Sequence, residues 1–355
     1  MKRDYLKHIS GMKGMGALIV FIYHFLYCFY PLFIPEGMNA APIEHIPVLN
    51  ILVNGNFAVC LFILLSGYLM AGSAERLDSL DAYGNAIVRR YVRLMIPLAV
   101  AASLSYLLCI SGLYRIREVS EAIGNELTSN YFRIIHLHHL PISFLWAPFG
   151  YHVLVGPFWM MKYILVGSFV VMGVTLAIRR YSPIMQILGI LFTLALVLYL
   201  DALYACVLSG MLLYKVGQHP IPLKGIVRIP AILLMLAAAF WLSVAQDNMM
   251  DYDKYKNILA SFLFVSAVLL SKSLLAFFGS RLMDTLGKLS LGVFIFHWPV
   301  ICSLPCRLFL EWPIQNQWIL FGSIFIISLS VSLLLAHLYN KWVAPWADSL
   351  LKRIG

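Results

Sequence analysis

The chain of 355 residues is 61% hydrophobic and 12% charged, with 26 Lys and Arg against 16 Asp and Glu and a formal net charge of +10; its mean hydropathy is +0.85. Soluble globular chains carry about 25% charged residues, so this composition excludes a cytosolic enzyme, a disordered scaffold and a secreted disulfide-built domain. The six cysteines (Cys28, Cys60, Cys109, Cys206, Cys302 and Cys306) all fall in apolar stretches and form no CxxC pair, which removes the zinc and thioredoxin-type readings.

A hydrocarbon core of about 30 Å takes roughly 20 apolar residues in a helix. Ten stretches meet that need, near 14–34, 51–72, 94–113, 156–178, 183–200, 202–217, 229–246, 257–276, 287–308 and 317–340. No alternating strand pattern of the outer-membrane barrel type is present. The expected architecture is an all-α integral membrane protein of about ten transmembrane helices, forming one domain over residues 1–355. The first stretch follows Lys2, Arg3, Lys7 and Lys13; it is too long for a signal-peptide core and lacks a small-residue cleavage site, so it reads as retained.

Basic residues set the orientation. With the N-terminus inside and ten crossings, 19 of the 26 Lys and Arg face the cytoplasm, and both termini are cytoplasmic. This requires a tight outer hairpin at Asp201, since a single crossing over 183–217 would place 13 on each side. The positive charge is spread over the inner loops rather than gathered in one stripe, so it does not call for nucleic acid. The outer segments of appreciable length are 35–50, 114–155 and 247–256.

Ionisable groups inside or at the mouth of spans carry the functional information. His24 stands in the uncharged run GMGALIVFIYHFLYCFY; counted from Gly14 it lies about 15 Å deep, close to the midplane. Lys13, eleven residues earlier, is three helical turns away to within about 20° and shares its face. The plain alternative is a snorkelling lysine with a packing histidine. Next, RRYVRLMIP brings Arg90 and Arg93 to the same side of a helix entering the membrane. Guanidinium forks match phosphate oxygens; ordinary positive-inside anchoring would give the same run.

The loop HLHHLP carries His136, His138 and His139, followed by Trp146, Tyr151 and His152. Its spacing matches no zinc pattern and no acid or cysteine joins it, so no metal is expected; an interfacial belt or a sugar-contacting surface suits it better. Lys162 can snorkel outward, pair with Asp201 or contact substrate. His297, in LGKLSLGVFIFHWPV, lies about 15 Å from Gly287, and Pro299 beside it removes a backbone donor; packing and function are equally open there. No GxSxG, Walker loop or HExxH occurs. Acids are nearly absent from the spans, which disfavours a proton- or sodium-coupled transporter.

Four pieces in order from residue 13 to 299 resemble the acyltransferase-3 family of bacterial inner-membrane acyltransferases. Its first helix carries a basic residue, ten positions and a histidine, here Lys13 and His24. Its second ends in a phenylalanine-rich run closing with Ser-Gly-Tyr, here CLFILLSGYLM with Phe62, Ser66, Gly67 and Tyr68. An RxxR element follows, matched by Arg90 and Arg93, and a late GxxSxxxYxxHxP segment is matched by Gly287, Ser290, His297 and Pro299. Many relatives have a glutamate after the tryptophan of a middle span; FWMMKYIL offers Lys162 and no acid. No added esterase-like domain is seen, so no two-domain relay is expected.

The resemblance implies a membrane O-acyltransferase, in most relatives an O-acetyltransferase, of the bacterial inner membrane. It would move an acyl group from cytoplasmic acyl-CoA to a hydroxyl of a surface polysaccharide or a lipid-linked glycan. Acetyl-CoA would be a donor substrate and no cofactor would be bound permanently. Arg90 and Arg93 would hold the CoA phosphates, and Lys13 a phosphate or pantetheine carbonyl. His24 would deprotonate the acceptor or carry the acyl group itself. Ser66, Tyr68, Ser290 or His297 would support the oxyanion. The competing class is a transporter or flippase for a lipid-linked sugar, which needs neither the lysine–histidine face nor the late histidine.

Overall fold

A computed structural model describes residues 7–29, 32, 53–126, 128–129, 131, 135–218, 225–244, 253–314 and 316–353. The segment 35–50 and most of 247–256 lie outside the described residues. All regular structure among the described residues is helical. The helices are α1 (Lys7–Phe29), α2 (Gly55–Ala74), α3 (Leu80–Ile110), α4 (Ile116–Ile123), α5 (His139–Trp146), α6 (Met161–Ile178), α7 (Pro183–Leu200), α8 (Tyr204–Gln218), α9 (Gly225–Val244), α10 (Lys254–Leu270), α11 (Lys272–Phe278), α12 (Arg281–Ile301), α13 (Leu304–Glu311), α14 (Gln317–Leu338) and α15 (Ala344–Arg353).

Eight helical segments among the described residues are long and apolar enough to cross a membrane, or nine if the bent pair α10 and α11 counts as one span. The difference from ten is α8. Its 15 residues rise about 22 Å, short of a full core. The hairpin at Asp201 is present: Asp201 O accepts from Tyr204 N at 3.1 Å, and its Oδ1 accepts from Leu203 N at 3.3 Å. The turn therefore takes up residues that an apolar count assigns to the following span. The eighth stretch is also not one straight helix. α10 and α11 meet at 103°, Ser271 Oγ accepts from Leu274 N at 3.3 Å, and Arg228 Nε donates to the Leu270 carbonyl at 2.8 Å. A serine and an arginine thus satisfy the backbone groups that the break frees.

Contacts divide the chain into two compact units. The first comprises Met1–Gly16, Asn54–Arg90 and Lys162–Lys288. At its centre α2, apolar all round and mostly buried, packs on α8. Lipid offers no hydrophobic drive for such pairing, so close backbone approach has to supply it. A Cβ at Gly67 would stand 2.7 Å from the Val207 carbonyl carbon, and one at Gly210 would stand 2.7 Å from Tyr68 N. α7 and α9 are hydrophobic but only 11% of each spanning window is buried, as for helices facing lipid. Gly67→Val should therefore lower stability by about 1–3 kcal/mol, the usual cost of overpacking. Thermal unfolding of the detergent-solubilised variant checks it; an unchanged midpoint would show that the α2–α8 contact yields.

The second unit comprises Ala17–Val53, Tyr91–Met161 and Leu289–Gly355. Phe25 on α1 stands edge-on to Phe321 and Phe325 of α14, with ring centroids 5.0 and 5.1 Å away. Asn125 Nδ2 donates to the carbonyls of Tyr27 at 3.0 Å and Cys28 at 2.9 Å, closing the end of α1, whose last carbonyls have no helical partner.

Candidate functional site

α1 is unbroken from Lys7 to Phe29, so Lys13 and His24 keep the shared face that their spacing predicts. Each belongs to a separate cluster of polar side chains.

In the first unit, Arg90 is half-buried and its fork is held by two hydroxyls. Its Nη2 donates to Ser66 Oγ at 2.7 Å and its Nε to Ser168 Oγ at 3.0 Å. Ser66 comes from α2, Ser168 from α6. Lys13 lies close enough for the two positive charges to repel. Among the described residues Lys13 has no hydrogen bond or ion pair. Two neighbouring cations away from bulk water favour an anion between them. Tyr68, two residues on from Ser66 and so about 200° round the helix, is buried edge-on to Tyr214, with centroids 5.6 Å apart.

Arg93 belongs to the second unit. Its Nη2 lies 3.7 Å from Asp348 Oδ1, with the two side chains 65% and 63% exposed; such exposed pairs contribute little. The i,i+3 arginines therefore have different partners. If Arg90 is the anion ligand, Arg90→Ala should raise the donor KM at least tenfold more than Arg93→Ala does. Equal effects in steady-state kinetics would assign both arginines to one site.

The second unit places His297 of α12 against His24 of α1. His297 Nε2 lies 3.2 Å from His24 Nδ1, and the ring centroids are 4.9 Å apart. His24 Nδ1 is also 2.9 Å from Val20 O, and His297 Nδ1 is 3.1 Å from Val293 O. A carbonyl only accepts, so both Nδ1 atoms carry the proton in the neutral rings. His297 Nε2 is then bare and accepts from His24 Nδ1–H, which it shares with Val20 O. His24 Nε2 is left with its lone pair, and no described residue bonds to it. The pair fixes one imidazole by its Nδ1 and leaves its other nitrogen basic.

The remaining sequence candidates lie elsewhere. Ser66 orients Arg90, and Ser290 is buried on α12 two turns before His297. Lys162 Nζ sits 4.7 Å over the Tyr163 ring, and Tyr163 OH, rather than Lys162, bonds Asp201 Oδ2 at 2.9 Å. The His136 ring stacks with those of His138 and His139, and the last two, tilted 40° to each other, have centroids 4.3 Å apart. His139 Nδ1 is 2.6 Å from Tyr151 OH. Burial, and then the charges of His138 and His136, hold His139 below the ordinary imidazole value. Among the described residues no group of three His, Cys, Asp or Glu is arranged to hold a metal.

Two neighbours escape a reading of spacing. Ser168 is a lone serine in an apolar helix, with no signal that it meets an arginine 78 residues away. Trp298 stands edge-on to His24 at 5.4 Å and to Tyr131 at 5.1 Å; only its adjacency to His297 marks it in the sequence.

Comparisons with curated proteins and with solved structures found no match. The family model described as Acyltransferase domain, of the acyltransferase-3 family, matches residues 6–337. That span takes in Lys13, His24, Arg90 and His297 together with all but the end of the helical bundle. With so much of its length matched, the chain belongs to the acyltransferase-3 family and is a multi-pass membrane acyltransferase.

Proposed function

We propose that the protein moves an acyl group, in the first instance acetyl, from cytoplasmic acyl-CoA to a hydroxyl of a cell-surface glycan or its lipid-linked precursor. It would work in the bacterial cytoplasmic membrane with both termini inside, the orientation that the basic-residue balance favours when the short α8 is counted as a crossing. The observation that carries this reading is the anchored histidine pair, which leaves His24 Nε2 bare.

The donor would enter with its phosphates on Lys13 and Arg90. Ser66 and Ser168 hold the Arg90 fork in place, so less side-chain freedom is lost on binding. His24 would act at the thioester end. There the acceptor hydroxyl gives its proton to His24 Nε2 as its oxygen attacks the thioester carbon. The imidazolium so formed keeps its Nδ1–H on His297 Nε2, a bond that strengthens once the ring is charged. Collapse expels the CoA thiolate, which takes the proton back from His24. His297 is a positioning residue in this scheme, and Arg93 a surface residue.

A transporter or flippase for a lipid-linked sugar has no use for an anchored imidazole with a bare nitrogen. The experiment is glycan analysis of a strain lacking the gene. Loss of a base-labile acyl ester from an otherwise unchanged surface glycan supports the proposal. Retention of every ester, with the glycan itself missing from the surface, would establish transport instead.

A further inference from the structure

Resting on the acyl-transfer reading above, we propose that the indole N–H of Trp298 binds the carbonyl oxygen of the acyl group as it becomes an oxyanion. The residue would then be catalytic in its own right. Trp298 is 1% exposed, yet among the described residues its Nε1 has no hydrogen-bond partner. Buried indole N–H groups nearly always find one. An orphaned donor in a closed setting calls for an acceptor that arrives with a ligand.

The surroundings say where that acceptor would sit. The indole is wedged between His24 and Tyr131, at 79° and 67° to their rings, so it adjoins the bare base. The face of the indole lies over Gly156: a Cβ at that position would stand 3.3 Å from Cε2, 3.4 Å from Cζ2 and 3.6 Å from Nε1, nearest the ring-fusion atom between the other two. Glycine therefore lets the ring settle against the backbone, and a side chain there would push the indole and its N–H aside by a few tenths of an ångström. Each of these residues belongs to the second unit.

The chemistry fits a neutral donor. As the acceptor oxygen bonds to the thioester carbon, the carbonyl π pair moves onto oxygen. A fixed N–H gains far more from that oxyanion than from the ground-state carbonyl, because a hydrogen bond to a charged acceptor is about twice as strong. When the carbonyl re-forms, the C–S bond breaks and thiolate leaves, so the N–H ends the cycle unchanged. An indole also keeps its proton throughout, and it adds no positive charge beside His24. Of the four groups named from the sequence for this task, Ser66 is engaged by Arg90, Tyr68 packs on Tyr214, and His297 presents a bare nitrogen to His24.

The test compares Trp298→Phe and Gly156→Ala with the parental full-length protein in detergent, by acyl-CoA-dependent transfer to a hydroxyl acceptor. Trp298→Phe keeps an aromatic ring and removes the N–H; Gly156→Ala keeps the indole and shifts it. Trp298→Phe should lower kcat by about 10²-fold, the usual cost of losing one oxyanion donor, and Gly156→Ala, which only displaces that donor, should lower it less. The KM for acyl-CoA should stay within about threefold of parental, since the donor interacts mainly in the transition state. Circular dichroism and a gel-filtration profile establish that each variant is folded. A folded Trp298→Phe protein with parental kcat overturns the proposal, as does a loss seen only as raised KM. If Trp298→Phe does not fold, the kcat of Gly156→Ala alone decides the matter. A parental protein that transfers nothing would remove the acyl-transfer reading itself, an outcome distinct from a parental-like variant.

Discussion

His24→Gln lowers acyl transfer by about 10²-fold or more, the scale of a lost general base, while acyl-CoA binding persists. Glutamine keeps a polar end that can bond within the helix bundle, so the protein should insert and accumulate. What it lacks is the bare nitrogen that His24 presents once Nδ1–H is committed to Val20 O at 2.9 Å and His297 Nε2 at 3.2 Å. His297→Phe removes only the acceptor that steadies the charged imidazole. It should cost less than His24→Gln and leave the donor KM unchanged. A His297→Gln protein, whose amide oxygen can still accept from Nδ1–H, should recover part of that loss. The measurement is transfer rate and donor affinity on the same purified variants. Near-parental transfer by His24→Gln would make the pair structural.

The second large effect is on the donor. Arg90→Ala and Lys13→Ala should each raise the KM for acyl-CoA, since a lost charge-assisted bond is worth about 1.5–3 kcal/mol, or roughly 10- to 150-fold. The two should not add, because both charges act on one polyphosphate. Added salt should weaken donor binding in the parental protein more than in either variant. Ser168→Ala, which frees one arm of the Arg90 fork, should show a milder rise of the same kind. Donor titrations at two ionic strengths check all three. An unchanged KM in Arg90→Ala and Lys13→Ala would reduce these residues to topological anchors.

Much of this arrangement was legible in sequence because membrane burial is costly to polar groups. Two midplane histidines in uncharged runs had to face protein, and α1 and α12 bring them together. What spacing could not show was the partner of each group. Arg90 and Arg93 are on one side by helical count, yet the hydroxyls of Ser66 and Ser168 draw the first inward and Asp348 engages the second at the surface. Gly67 and Gly287 stand out in sequence as motif positions. The structure gives them a steric reason: a Cβ at Gly67 would meet the backbone of Val207, and one at Gly14 would stand 2.6 Å from Gly287 N. Hydropathy is likewise blind to a turn inside an apolar run. The bend at Ser271 and the short α8 after Asp201 are marked by a few local hydrogen bonds, which carry almost no weight in a windowed average.

The most direct measurement is isotope tracing in sealed vesicles that hold the purified protein. Carbon-labelled acetyl-CoA is supplied to the face bearing the N-terminus, and a hydroxyl-bearing glycan acceptor is supplied to the other. The account predicts labelled acetyl on the acceptor as a base-labile ester, with equimolar free CoA on the donor side, and neither product with His24→Gln. Unlabelled glycan appearing on the donor side without CoA release would contradict it and establish transport instead.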